Sequence, residues 1–106
     1  MFRFAHETLD AYGLAVEVAR WFRRAQWPRG SAHLKDQGCR AMESAVLNIA
    51  EGRSRGGEKA GANHLRIALG SAAEACAVLD LVDLDEAAAQ QEKLRRVGVM
   101  LTRLGR

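Results

Sequence analysis

Arg20, Arg23 and Arg24 stand three and four residues apart, so a helix would carry all three guanidinium groups on one side, with Arg29 just beyond its end. Arg53 and Arg55 follow in a glycine-flanked segment, Gly52-Arg53-Ser54-Arg55-Gly56-Gly57. Guanidinium is planar and matches phosphate oxygens two at a time, so these six residues are candidates for contact with a nucleic-acid backbone. The alternative is a solvated arginine face that only keeps the chain in solution. Trp21 and Trp27 stand beside the cluster and have rings able to stack on unpaired bases, although packing is the favoured reading for both.

Other chemistries find no support in the pattern. A phosphate-binding loop places lysine directly after its last glycine and follows a strand; here Glu58 holds that position and a helix precedes the loop. A di-iron bundle needs Glu-x-x-His pairs on two helices, and none occurs. His6 with Asp10 and His33 with Asp36 have helical spacing but fall near helix starts, where such groups are solvated. Cys39 and Cys76 lack the spacing of a zinc site or redox pair and read as buried free thiols. Together with Ser44 and Ser71 they offer nucleophilic atoms without a base to orient them. The expectation is a protein that is not an enzyme, with no metal, no cofactor and no small-molecule substrate.

The elements that would position the arginines follow from composition. The 106 residues suffice for one domain, contain a single proline and are 48% hydrophobic, while only 6% are aromatic. This points to an all-α chain. No run of about 18 apolar residues exists, and the N-terminus lacks the basic start and apolar stretch of a signal peptide, so a cytoplasmic protein without membrane attachment is expected. Thirteen of the sixteen cations are arginine, and the formal net charge is +3. Residues 1–57 hold nine Lys/Arg against six Asp/Glu, whereas residues 58–106 hold seven of each, which places any basic face in the first half.

Apolar periodicity predicts helices over residues 6–26, 32–51, 58–82 and 86–104. Trp27-Pro28-Arg29-Gly30 stops the first, Ser31 is placed to cap the second, Gly52 to end it, and Glu58 suits the start of the third. With short loops, the simplest arrangement is one antiparallel up-and-down four-helix bundle spanning residues 1–106. The first helix has a wider apolar face than a bundle needs, with Trp21, Phe22 and Trp27 at its end; these rings are candidates for an interface between copies, or else they close the core of a monomer. On the second helix Arg40, Ser44, Asn48 and Glu51 recur at steps of three and four, and Ser71 and Glu74 answer them on the third. A structural polar seam is expected there, with Arg40 facing Glu74.

The block Asn48-Ile49-Ala50-Glu51-Gly52, with Arg40-Ala41-Met42-Glu43-Ser44 before it and Ile67-Ala68-Leu69-Gly70-Ser71-Ala72-Ala73-Glu74 after it, resembles the four-helix-bundle proteins encoded by intervening sequences in bacterial 23S ribosomal RNA genes. Relatives of that family include the accessory variability determinant of diversity-generating retroelements. The resemblance covers most of the chain, including the Trp27-Pro28 stop, Gln37 ahead of Arg40, and the turn at Leu84; Gly61, Ala62 and His64 stand where the family carries aromatics. It implies a homopentameric ring whose basic surface engages RNA, DNA or a reverse transcriptase partner, and it implies no active site. A protein-protein interaction module without nucleic-acid binding is the competing expectation.

Overall fold

In a computed structural model the described residues are 1–55 and 58–105. Gly56 and Gly57 of the expected arginine-glycine loop lie outside them, as does the side chain of Glu58. After a 3-10 turn at Ala5–Thr8 come four helices: α1 (Asp10–Arg24), α2 (Ala32–Ser54), α3 (Glu58–Asp80) and α4 (Ala87–Leu104). There is no strand among the described residues, and none of their helices is long and apolar enough to cross a membrane.

The chain turns back at each loop. Gln37 meets Glu74, Ser44 meets Ser71, and Asn48 meets His64, so α2 and α3 are antiparallel. Gln91 reaches Cys76 while a Cβ on Gly98 would lie 3.6 Å from the Leu69 side chain, which sets α4 against α3 in the same sense. Lys93 of α4 meets Glu17 of α1 and closes the bundle. Seven of the seventeen buried apolar residues are alanine, including Ala11, Ala15, Ala45 and Ala72, so the helices lie close together around small side chains.

The closest approach is between α2 and α3. A Cβ on Gly52 would lie 3.0 Å from the carbonyl oxygen of Gly61, and a Cβ on Gly61 would overlap the Gly52 carbonyl outright. Gly52 therefore does not end α2, as its residue type predicts. It is buried inside the helix, which runs on to Ser54, because its missing side chain is needed for backbone contact. Gly38 plays a similar part at the other end, where a Cβ would lie 2.5 Å from the Phe22 ring.

The start of α1 also departs from expectation. Leu9 adopts an extended conformation, and the preceding residues form a separate turn closed by the Phe4 N–H donating to the Glu7 carboxylate at 2.6 Å. At its other end α1 stops at Arg24 because Ala25 is extended. Trp27 folds back, its indole N–H donating to the Phe22 carbonyl at 3.1 Å and satisfying an otherwise open end of the helix. Ser31 precedes α2, but its hydroxyl donates to the Pro28 carbonyl rather than capping the helix. α3 ends at Asp80, two residues early, where Gln91 donates to the Cys76 carbonyl and the Asp80 carboxylate.

These contacts correct the proposed intersubunit surface. Trp21 is 5% exposed and Phe22 is fully enclosed, with ring centroids 5.4 Å apart. Trp27 lies 5.7 Å from Phe22 and is itself half-buried. The three rings close one end of the monomer's own core, so Trp21 and Phe22 are not free to meet a second copy.

Gly61→Ala is expected to destabilise the fold by about 2 kcal/mol, the scale of overpacking in a tight contact, read as a fall in melting temperature of roughly 10 °C. Gly70→Ala, where the added Cβ meets nothing within 4 Å, should instead stabilise by about 0.5–1 kcal/mol. Equal melting temperatures for the two variants would rule out the glycine contact as the reason for the close approach.

Candidate nucleic-acid interface

The α2–α3 seam is polar at its centre and charged at one end. Ser44 and Ser71 hydroxyls lie 2.8 Å apart. The Asn48 amide donates to the Ser44 carbonyl at 2.9 Å and to its hydroxyl at 3.3 Å, which leaves the Asn48 carbonyl to accept from His64 Nδ1 at 2.9 Å. Because the amide nitrogen is committed as donor, the neutral His64 ring must carry its proton on Nδ1. Sequence reasoning missed His64; reflecting two antiparallel helices about their loop pairs it with Asn48.

Two members of the expected seam sit elsewhere. Arg40 does not reach Glu74 but pairs with Asp36 at 2.7 Å, one turn earlier on its own helix, while Glu74 accepts from Gln37 at 3.1 Å. Glu51 turns outward to Arg55 at 2.5 Å. Both ion pairs follow the four-residue spacing, one within α2 and one between α2 and the residue that caps it, which brings charges together with no tertiary constraint.

The six candidate arginines do not form one patch. Arg53 and Arg55 are at the far end of α2 from Arg29, about 30 Å away at 1.5 Å per residue. Arg55 is held by Glu51, and Arg23 points to α2, where it pairs with Glu43 at 2.9 Å. Arg20, Arg24, Arg29 and Arg53 are exposed and have no ion-pair partner among the described residues.

The charge on α1 is joined by residues that sequence analysis left unassigned. Glu17, one turn before Arg20, accepts from Lys93 Nζ at 2.6 Å. The Lys93 hydrogen bond and charge hold the Glu17 carboxyl below the usual carboxylate range, and the charges of Arg24 and Arg96 push it the same way. The basic surface therefore draws on the second half of the chain as well as the first. The charge count by halves could not show this, since α1 and α4 are far apart in sequence and adjacent in space.

The cysteines lie on different helices, Cys39 on α2 and Cys76 on α3, and both are free. Burial raises the pKa of each thiol, which disfavours the reactive thiolate. Among the described residues no group of three His, Cys, Asp or Glu side chains is placed to hold a metal ion.

The family model described as 23S rRNA-intervening sequence protein matches residues 7–106. The chain belongs to that family. Comparison with curated proteins gave no match. In this member of the 23S rRNA-intervening sequence protein family, the Asn48-to-Gly52 block has a structural reading: Asn48 ties α2 to α3 and Gly52 lets their backbones touch.

Asn48→Ala removes both halves of that tie and should lower stability by more than about 1 kcal/mol. An unchanged melting temperature would dispose of the seam as a structural element. In the wild-type protein, nitrogen NMR should find the neutral His64 ring protonated at Nδ1; the other tautomer would contradict the hydrogen-bond directions given above.

Proposed function

We propose that this chain is a non-enzymatic, homo-oligomeric scaffold, pentameric as the family resemblance implies, which binds nucleic acid or a nucleic-acid-handling protein such as a reverse transcriptase through exposed arginines. The observation that carries this reading is the set of Arg20, Arg24 and Arg29, exposed at one end of α1 and the loop after it, with no carboxylate holding any of them among the described residues. Guanidinium groups left unpaired at low cost in side-chain packing are suited to phosphate oxygens.

Oligomerisation draws support from apolar surface away from the buried tryptophan. Val99 and Ile67 are 51% and 43% exposed, and a shallow groove between α3 and α4 is lined by Leu69, Ala72, Cys76 and Gly98. That surface also favours the second reading, a protein-interaction module that binds no nucleic acid.

Binding to an RNA or DNA fragment should weaken steeply with salt, the affinity falling about 0.9 log unit per log unit of salt for each phosphate neutralised on a duplex. The triple substitution Arg20→Glu, Arg24→Glu, Arg29→Glu should abolish retention of the fragment at low salt and leave the helical circular dichroism spectrum unchanged. Light scattering should give a multiple of the 11.6 kDa chain. Absence of binding by the wild-type protein at low salt would refute the nucleic-acid reading, and a single-chain mass would refute the scaffold.

A further inference from the structure

We infer that the outer face shared by α1 and α4, with Arg20 and Arg24 from one helix and Lys93 and Arg96 from the other, binds a phosphodiester backbone, and that Glu17 at its centre weakens this binding by holding Lys93. The inference rests on the nucleic-acid reading above and assigns that reading to one face.

The geometry comes from the closure of the bundle. Glu17 and Lys93 meet at 2.6 Å across the two helices, which fixes their relative height. Arg20 and Arg24 follow Glu17 at three and seven residues and share its outward side of α1. Arg96 follows Lys93 by three residues and is exposed. Arg23, by contrast, faces away toward Glu43 on α2. Of the neighbouring acids, Glu92 on α4 pairs with Arg95, while Asp83, Asp85 and Glu86, in the turn before α4, line a pocket together with Arg24. Arg20, Arg24 and Arg96 have no ion-pair partner among the described residues, so three guanidinium groups not held by a carboxylate accompany one paired lysine.

A polyanion crossing this face would meet cations from both helices. Among the described residues Glu17 is the carboxylate paired across the two helices, and it competes with phosphate for the Lys93 ammonium. Exchanging that carboxylate for an uncharged amide adds one net positive charge to the face and frees Lys93 for a phosphate oxygen, with little change of shape. Loss of an acidic side chain is then expected to improve binding, an outcome that a purely structural Glu17–Lys93 bridge does not produce.

The test uses the full chain and two fluorescein-labelled 20-mers of one sequence, RNA and DNA, with anisotropy followed over a salt series. Arg24→Glu and Arg96→Glu should each weaken binding roughly three- to tenfold at about 0.1 M salt and lower the salt slope by at least about one unit. Glu17→Gln should tighten binding by a comparable factor and raise the slope. Arg66→Glu, an exposed residue on α3, which makes no packing contact with α1, is the control and should leave affinity within about twofold of wild type. Equal responses of the two probes assign the contact to the shared backbone, and a stronger RNA response assigns it to an RNA strand; both support the inference. If the wild-type chain binds neither probe, the inference and the broader reading fall together. If it binds but Arg96→Glu matches Arg66→Glu, or Glu17→Gln fails to tighten binding, the inference falls and the broader reading stands. Should Arg96→Glu fail to fold, the Glu17→Gln result decides alone.

Discussion

Two helix backbones can touch only where neither brings a side chain to the crossing, and α2 and α3 meet that condition at Gly52 and Gly61. Everything along this pair follows from the resulting separation. At so short a distance the serine hydroxyls of Ser44 and Ser71 bond directly, and Asn48 spans to His64. A wider gap would leave these half-buried groups short of partners, and an unpaired polar group away from water is destabilising by about 1–3 kcal/mol. The small residues and the polar chain are thus mutually dependent: the first sets the spacing and the second fixes the register, which a surface of alanine and leucine alone would leave free to slide.

Charge on the surface is organised by a different rule. Adjacent arginines on a helix diverge by 100° or so, and one element can therefore serve two neighbours. Arg23 turns to α2 while Arg24 lines a pocket with the turn before α4, although the two are consecutive. Spacing alone places Arg20, Arg23 and Arg24 on one side of α1; packing sorts Arg23 and Arg24 onto separate faces by setting the first against α2 and the second against the turn before α4.

Helix number, order and approximate limits were legible in the sequence because apolar periodicity and the Trp27-Pro28 stop are local signals. The seam was legible in part, since Ser44, Asn48 and Ser71 repeat at helical steps. What escaped depended on tertiary distance. Gly52 has the residue type of a helix terminator and is buried within α2 because of Gly61. Trp21 and Phe22 read as surplus apolar surface until Gly38 is seen to make room for the Phe22 ring. Arg40 was assigned to Glu74 across the helices, when Asp36 on its own helix was nearer. His64 and Lys93 carry no local motif, and each acquires its partner only when distant segments are brought side by side.

The Glu17–Lys93 bridge joins the first helix to the last, the pair whose ends must travel furthest along the chain before they meet. Such a closure is favoured late in assembly, after the hairpin-like neighbours have formed, because bringing remote segments together carries the larger loss of chain entropy. A polyanion lying over both helices would act as an external clamp on that seam. By mass action its occupancy would add to the free energy of the closed form, so that this protein would resist unfolding best when loaded.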